Sequence, residues 1–213
     1  MKKIFCIGFN KTGTTSLKDL FSNNGFESAP QQVFESKLNS YESFNPSTFV
    51  NMIKEDYSHC TFFQDVPFSL PNFYKTLYQE FPDSYFILST RNTPEIWYNS
   101  ILSYHQSIFH QQFLKSPWEN TYIYEGWVYN YLCQLHYSQP NIKGLGSPKS
   151  DPYNKTILIE SYNNHNNGVK EFFKDKDNLI EINLSIPKDF DKLQNFLNVK
   201  FKDTSFPHSN KSK

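Results

Sequence analysis

The first sixteen residues constrain the fold more than any other part of the chain. Ile4-Phe5-Cys6-Ile7 is a continuous apolar run, the pattern of a strand covered on both faces. It leads straight into Gly8-Phe9-Asn10-Lys11-Thr12-Gly13-Thr14-Thr15-Ser16. A short helical pattern follows (Leu17, Leu20, Phe21), which Asn23-Asn24-Gly25 stops. A buried strand, a glycine turn and a helix N-terminus in succession make an anion site. Consecutive backbone N–H groups converge there, and the helix dipole adds about half a positive charge. Gly8 and Gly13 permit a tight turn, Gly13 lets a phosphate approach the backbone, and Thr14, Thr15 and Ser16 add hydroxyl donors. The bland alternative is a βα turn that binds nothing. A lysine, a glycine and three hydroxyls in sequence argue against it.

The rest of the chain alternates strand and helix. Phe49, Met52 and Ile53 recur at helical spacing after a candidate cap at Ser47, and Thr61-Phe62-Phe63-Gln64-Asp65 reads as a strand ending in a carboxylate. Leu70, Phe73, Tyr74, Leu77, Tyr78 and Phe81 form one helical stripe, and Tyr85-Phe86-Ile87-Leu88 is a third apolar strand. Thr93 caps a helix with Pro94 at its first position, Glu95 in its first turn and an apolar stripe of Trp97, Ile101, Tyr104 and Ile108. Residues 111–138 are rich in aromatics from Phe113 to Tyr131 and read as helical in their second half. Residues 139–154 carry Pro140, Gly144, Gly146, Pro148 and Pro152 and read as a loop. A helix near 155–174, a strand Leu179-Ile180-Glu181-Ile182 and a helix over 188–198 close the pattern. The alternation predicts an α/β fold with a parallel sheet and helices on both faces. Neither an internal repeat nor a linker divides it, so residues 1–213 are read as one domain.

Charge and cysteine usage narrow the function classes. The 213 residues hold 21 cationic and 21 acidic side chains, a formal net charge of zero, which argues against nucleic acid or a membrane surface as partner. No apolar run approaches the roughly 20 residues that span a bilayer, and the short run at Ile4 does not have the form of a secretion signal. Three widely spaced cysteines, Cys6, Cys60 and Cys133, suit a reduced compartment and form no metal-ligand pattern. A cytoplasmic protein without a metal is expected. Among the 21 cations only Arg91 is an arginine. A chain rich in Lys, Asn, Phe and Tyr reflects AT-rich codons, which gives the one planar, phosphate-matching fork extra weight.

The loop is not the nucleotide triphosphatase loop, in which Lys directly follows the second glycine and precedes Ser or Thr. Here Lys11 lies two residues before Gly13, and Thr14 follows it. The stretch Gly8 to Leu17 resembles the 5′-phosphosulfate loop of sulfotransferases, which use 3′-phosphoadenosine 5′-phosphosulfate (PAPS). The stretch Tyr85 to Ser100 resembles that family's 3′-phosphate segment: a strand, an arginine at its end, a proline, then a helix with a serine. Asp65-Val66-Pro67 and Phe206-Pro207-His208-Ser209-Asn210 resemble a poorly characterised sulfotransferase-like branch. The resemblance leaves out the aromatic-rich, variable segment at about 105–150. It implies a three-layer P-loop NTPase-like fold, PAPS as donor with 3′,5′-ADP (PAP) as product, and a small-molecule or carbohydrate acceptor.

The implied roles fall on Lys11 and Asp65 as catalytic residues, with Asn10, Lys11, Thr12, Gly13, Thr14, Thr15, Ser16, Arg91 and Ser100 holding the donor. Backbone N–H groups of 12–15 and the three hydroxyls hold the phosphosulfate, Lys11 neutralises the leaving phosphate, and Asp65 is the general base. Two departures stand. The family places its serine eight residues after the arginine, whereas Ser100 lies nine after Arg91, so either the turn bulges or Asn99 substitutes. Many sulfotransferases also carry a histidine where Asp65 stands, and others a carboxylate. Trp97 is read as core rather than an adenine platform, His165 and His208 as loop or cap residues, and Cys6 as an inert core thiol. The aromatic stretch 113–131 is either core or a cap over an acceptor pocket. A small-molecule or nucleoside kinase, with Asp65 serving magnesium or proton abstraction, is one alternative. A non-catalytic nucleotide-binding or interaction domain is another.

Overall fold

The computed structural model describes residues 2–38, 44–113, 116–119, 121–138 and 148–209, with the backbone alone for 108–113. The Ile108 and Phe113 side chains, Pro140, Gly144, Gly146 and Asn210 lie outside what is described. Four parallel strands form the centre: β1 (Ile4–Cys6), β2 (Phe62–Phe63), β3 (Tyr85–Ser89) and β4 (Leu179–Ile182), in the order β2-β1-β3-β4. Ile4 pairs with Phe62 on one side and Tyr85 on the other, and Ile87 pairs with Ile180. The helices are α1 (Thr14–Asn23), α2 (Gln31–Glu35), α3 (Pro46–Glu55), α4 (Phe73–Glu80), α5 (Pro94–Phe113), α6 (Trp127–Tyr137), α7 (Lys155–Phe173) and α8 (Lys188–Leu197).

Strand alternation sorts the core into two layers. Ile4, Cys6, Phe62, Ile87, Ile180 and Ile182 pack beneath α1 and α8, against Leu17, Phe21, Phe190 and Leu193. Phe5, Phe63, Phe86 and Leu88 face the other way, into a larger cluster that takes Phe34 from α2, Phe49 from α3, Phe73 from α4, Trp97 from α5 and Leu158 from α7. Aromatic rings dominate this second layer: Phe5 alone lies 5.2 to 6.0 Å from the rings of Phe63, Phe68, Phe81 and Phe86. The expected helices on both faces of a parallel sheet are therefore present.

Connectivity sets the position of the site. β1 continues into α1 on one face, while its neighbour β3 continues into α5 on the other. Chains that leave adjacent strands toward opposite faces open a crevice at the strands' carboxyl ends. The two strands come so close there that a Cβ on Gly8 would sit 2.3 Å from the Ser89 carbonyl oxygen, so this position excludes any side chain.

Three element ends differ from the sequence pattern. Asn45, not Ser47, caps α3: its Oδ1 accepts the Ser47 N–H at 3.0 Å, and Pro46 takes the first helical position, where its missing N–H costs nothing. β2 is short, and Asp65 lies two residues past it at φ 63°, in a turn rather than on the strand. α4 begins at Phe73, with Leu70 in the turn before it. His165 lies inside α7 and is buried, not in a loop.

Candidate active site at the carboxyl ends of the strands

A cleft of about 630 Å³ opens at the crevice. One of its walls is the β1–α1 loop. Gly13 precedes α1 at φ 104°, a conformation that L side chains avoid, and a Cβ there would lie 2.6 Å from Leu184 Cδ2. No side chain caps α1, so its first turn opens toward the cleft, with Gly13, Thr14, Thr15 and Ser16 all in the lining. First-turn amides have no backbone acceptor within their own helix, which suits an anion.

The loop is held from several sides. Thr12 is fully buried, its Oγ1 donating to the Phe9 carbonyl at 2.5 Å and lying 2.6 Å from Ser89 Oγ, while its N–H bonds the same carbonyl at 3.3 Å. Thr12 therefore braces the loop from behind and does not line the cleft, unlike the direct donor contact its place in the motif implied. Asn10 faces the cleft but is clamped, its Oδ1 accepting from Tyr131 Oη at 2.5 Å and its carbonyl accepting from Trp97 Nε1 at 3.0 Å. Trp97 is wholly buried and stacks on Tyr162 at 4.8 Å, as its core reading anticipated. His165 donates Nε2–H to the Ile7 carbonyl at 2.8 Å, since a carbonyl can only accept. Burial lowers its pKa from 6.5 to about 4, so the ring is neutral structure, stacked on Phe9 at 4.3 Å.

Arg91 follows β3 and reaches the cleft. Its Nε–H donates to the Lys11 carbonyl at 2.7 Å, and its own N–H donates to Tyr162 Oη at 2.9 Å. Among the described residues the two Nη groups make no hydrogen bond, so the fork is aimed by one nitrogen and open at the other two. Ser100 lines the cleft on the same helix as Trp97, and Asn99 does not.

Lys11 is at φ 66° with its ammonium 3.6 Å from the centre of the Tyr104 ring. Burial lowers its pKa, an effect opposed by Asp65 and reinforced by Arg91. Asp65 is buried opposite the loop. Its Oδ2 accepts from Thr14 Oγ1 at 3.0 Å and its Oδ1 from the Val66 N–H at 3.0 Å. Burial raises its pKa, while those two bonds and the Lys11 charge favour the ionised form. Thr14 thus gives its hydroxyl to Asp65 and leaves only its amide toward the cleft. Ser16 Oγ accepts the Ser209 N–H at 3.3 Å, which ties the C-terminal segment, with Pro207 and His208, over the end of the cleft.

Residues 3–213 match the family model of the sulfotransferase domain. The chain belongs to the sulfotransferase family. Comparison with curated proteins finds no match. The match runs through 105–150, the segment that the motif-by-motif resemblance left out. A sulfotransferase domain moves a sulfuryl group, and the cleft described above gathers nine of the sequence-named positions for that work, all except Thr12.

The sulfotransferase cleft also contains residues that the sequence did not single out. Glu35 and Gln31 from α2, His105 from α5, and Leu184 and Ser185 after β4 line it. His105 is buried with Nδ1 2.7 Å from Tyr153 Oη, and burial together with the Lys11 charge lowers its pKa to about 3, keeping the ring neutral. The aromatic stretch divides between core and cleft. Tyr131 is core, whereas Tyr122 and Trp127 line the cleft. Among the described residues no group of three His, Cys, Asp or Glu side chains is placed to hold a metal ion, and no helix is long and apolar enough to cross a membrane.

Proposed function

We propose that the cleft binds PAPS and directs its sulfuryl group to a hydroxyl or amine of a small-molecule or carbohydrate acceptor. One observation carries this: the only arginine of the chain lines the same cleft as the phosphate loop, anchored to it through Nε and with its two Nη groups making no hydrogen bond among the described residues. A second open cationic group beside the first anion site fits a donor carrying both a 5′- and a 3′-phosphate. The glycine cradle at Gly13, which any Cβ would fill against Leu184, fits the 5′ end. When bound, PAPS supplies the sulfuryl group, the new bond to sulfur forming as the bond from sulfur to the bridging phosphate oxygen breaks and PAP is released.

The chain's residues then have distinct tasks. The amides of 13–16 hold phosphate oxygens at the positive end of α1. Lys11, a point charge on a flexible stem, leaves the Tyr104 ring to meet charge on the phosphate. Arg91, aimed through the Lys11 carbonyl, holds the 3′-phosphate with Ser100 beside it. Asp65 takes the acceptor proton. Thr14 and the Val66 amide each occupy one lone pair of a different carboxylate oxygen and fix the group while leaving the others for that proton. A cytoplasmic location fits three buried, free cysteines.

Calorimetric titration with PAP, 5′-AMP and ATP, each with and without magnesium, tests the reading. Metal-independent binding of PAP, tighter than 5′-AMP, is expected. Preference for ATP with magnesium would move the chain to the kinase alternative, and binding of none of the three would remove the nucleotide site.

A further inference from the structure

Glu35 is a buried carboxylate in the cleft that the donor-side machinery does not use. It closes α2 at 2% exposure, with Oε1 accepting from Gln31 Nε2 at 2.7 Å. Its other oxygen, Oε2, is buried with no hydrogen-bond partner among the described residues. The residue is held rather than loose, because the Trp127 indole donates to its backbone carbonyl at 2.9 Å. A buried polar atom left unpaired is destabilising, so most such groups are matched within the protein or by a ligand. Gln31, Asp65, Tyr122 and Trp127 share the cleft with it.

The electrostatics favour a positive ligand. Burial raises the Glu35 pKa to about 8, with the Asp65 charge adding to the rise and the Gln31 bond and Lys18 opposing it; the Tyr122 hydroxyl faces the same charges. A second carboxylate in a poorly hydrated cleft is costly when ionised and of little use when neutral, unless a cation arrives. Lys11, the cation of the phosphate loop, is held over Tyr104. Tyr122 and Trp127 offer ring surface of the kind that attracts a cation.

We propose that Glu35 is the subsite for a cationic nitrogen of the acceptor: the molecule sulfated is an amine-bearing phenol or alcohol whose ammonium seats on Glu35, walled by Tyr122 and Trp127, while its hydroxyl meets Asp65. This rests on the sulfotransferase reading above and names the substrate class for it. The reacting hydroxyl gives its proton to Asp65 as its oxygen bonds to sulfur. The ammonium stays protonated throughout, and Glu35 gives up its own proton to solvent when the ammonium binds.

The test compares two matched probe pairs by calorimetry on the full chain, with and without saturating PAP. The pairs are tyramine against tyrosol, and 4-(aminomethyl)benzyl alcohol against 1,4-benzenedimethanol. The amine of at least one pair is expected to bind roughly 10- to 100-fold tighter than its alcohol, as for a new hydrogen bond to a charged group. The gap is expected to close to about twofold or less in Glu35→Gln, which removes the charge and keeps the shape. In the wild type at pH 7, titration in buffers of different ionisation enthalpy is expected to show close to one proton released per amine and none per alcohol, a measurement that needs no variant. Equal affinities within both pairs, an amine preference that survives in Glu35→Gln, no amine binding at millimolar concentration, or amine binding without proton release would each overturn the assignment. PAP binding is read separately on the same samples. Its failure would remove the donor reading while the amine comparison without PAP still decides Glu35.

Discussion

Replacing Arg91 with alanine separates two things that one side chain does. Its Nη end is open to the cleft, and its Nε–H holds the Lys11 carbonyl at 2.7 Å. A fork making two charge-assisted bonds to a 3′-phosphate is worth about 3 kcal/mol after allowance for the partly exposed surroundings. The Nε bond runs from the same guanidinium to a neutral carbonyl, and about 1 kcal/mol of it goes to ordering the loop that a 5′-phosphate would meet. Binding of 5′-AMP is therefore expected to weaken about fivefold, and binding of PAP, which loses both contributions, close to a thousandfold. Calorimetric titration of both nucleotides into wild type and Arg91→Ala reads the ratio of the two losses, expected to be about 150. Arg91→Lys keeps the charge and loses the fork, and is expected to fall between the two for PAP. Equal fold-losses for the two nucleotides would refute a 3′-phosphate role and leave Arg91 as a brace for the loop.

Asp65→Asn is expected to leave PAP affinity within threefold and to lower turnover on an accepted substrate by roughly 10²- to 10⁴-fold; an effect on PAP binding of that size with little on turnover would contradict its place as base. Gly13→Ala is expected to cost about 2–3 kcal/mol in urea unfolding, from the positive φ and the 2.6 Å approach to Leu184, and a Leu184→Ala background should recover the contact part only. Below pH 6.5 the unfolded chain protonates His165 while the folded chain, with its pKa near 4, does not. Stability is thus present above 6.5 and falls as pH drops toward 4, by up to ~3 kcal/mol, a slope that His165→Gln should flatten. Glu35 runs the other way. Its folded pKa, near 8, lies above the ordinary 4.5, so its contribution is present below 4.5 and lost as pH rises through 8; Glu35→Gln should gain on wild type across that window in chemical denaturation.

The parts of the fold that were legible in the sequence are those whose physics is local. Apolar runs at Ile4, Phe62 and Tyr85 mark strands because a doubly covered strand has no polar face to interrupt it, whereas Leu179–Ile182, at the sheet's edge, alternates with Glu181 between two buried isoleucines. Pro94 after Thr93 marks the start of α5 because both residues act through bonds within one turn, and Thr93 Oγ1 indeed accepts the Ile96 N–H at 3.3 Å. Ser47 was mistaken for the α3 cap because Asn45 and Ser47 are both good caps, and only Pro46 at the first helical position decides between them. The strand order was not legible. Nothing local in β1 records that β2 and β3 flank it, because that follows from which face each crossover helix covers.

The same distinction divides the site. Lys11, Gly13 and Arg91 were found because each stands in a stretch whose order carries its chemistry: a loop entering a helix, and an arginine leaving a strand. Thr12 belongs to such a stretch too, yet it turns inward, because the close approach of β1 to β3 at Gly8 brings Ser89 Oγ within reach of its hydroxyl. Motif position identifies a residue with the loop but not the direction of its side chain. Glu35 shows the converse. It stands in α2, a stretch that no periodicity or motif marks in the sequence, and its carboxylate is met by Gln31 four residues earlier. What makes it unusual is burial beneath Trp127, 92 residues along the chain. A carboxylate on a surface helix and a carboxylate walled in by a distant aromatic have the same sequence signature. The proposed acceptor side of this cleft is assembled from such long-range walls (α2, Tyr122, Trp127 and His105). The proposed donor side is assembled from contiguous loops. A sequence therefore reports the loop side of such a cleft before its walls, and the Glu35 oxygen that has no partner among the described residues becomes visible only when the walls are in place.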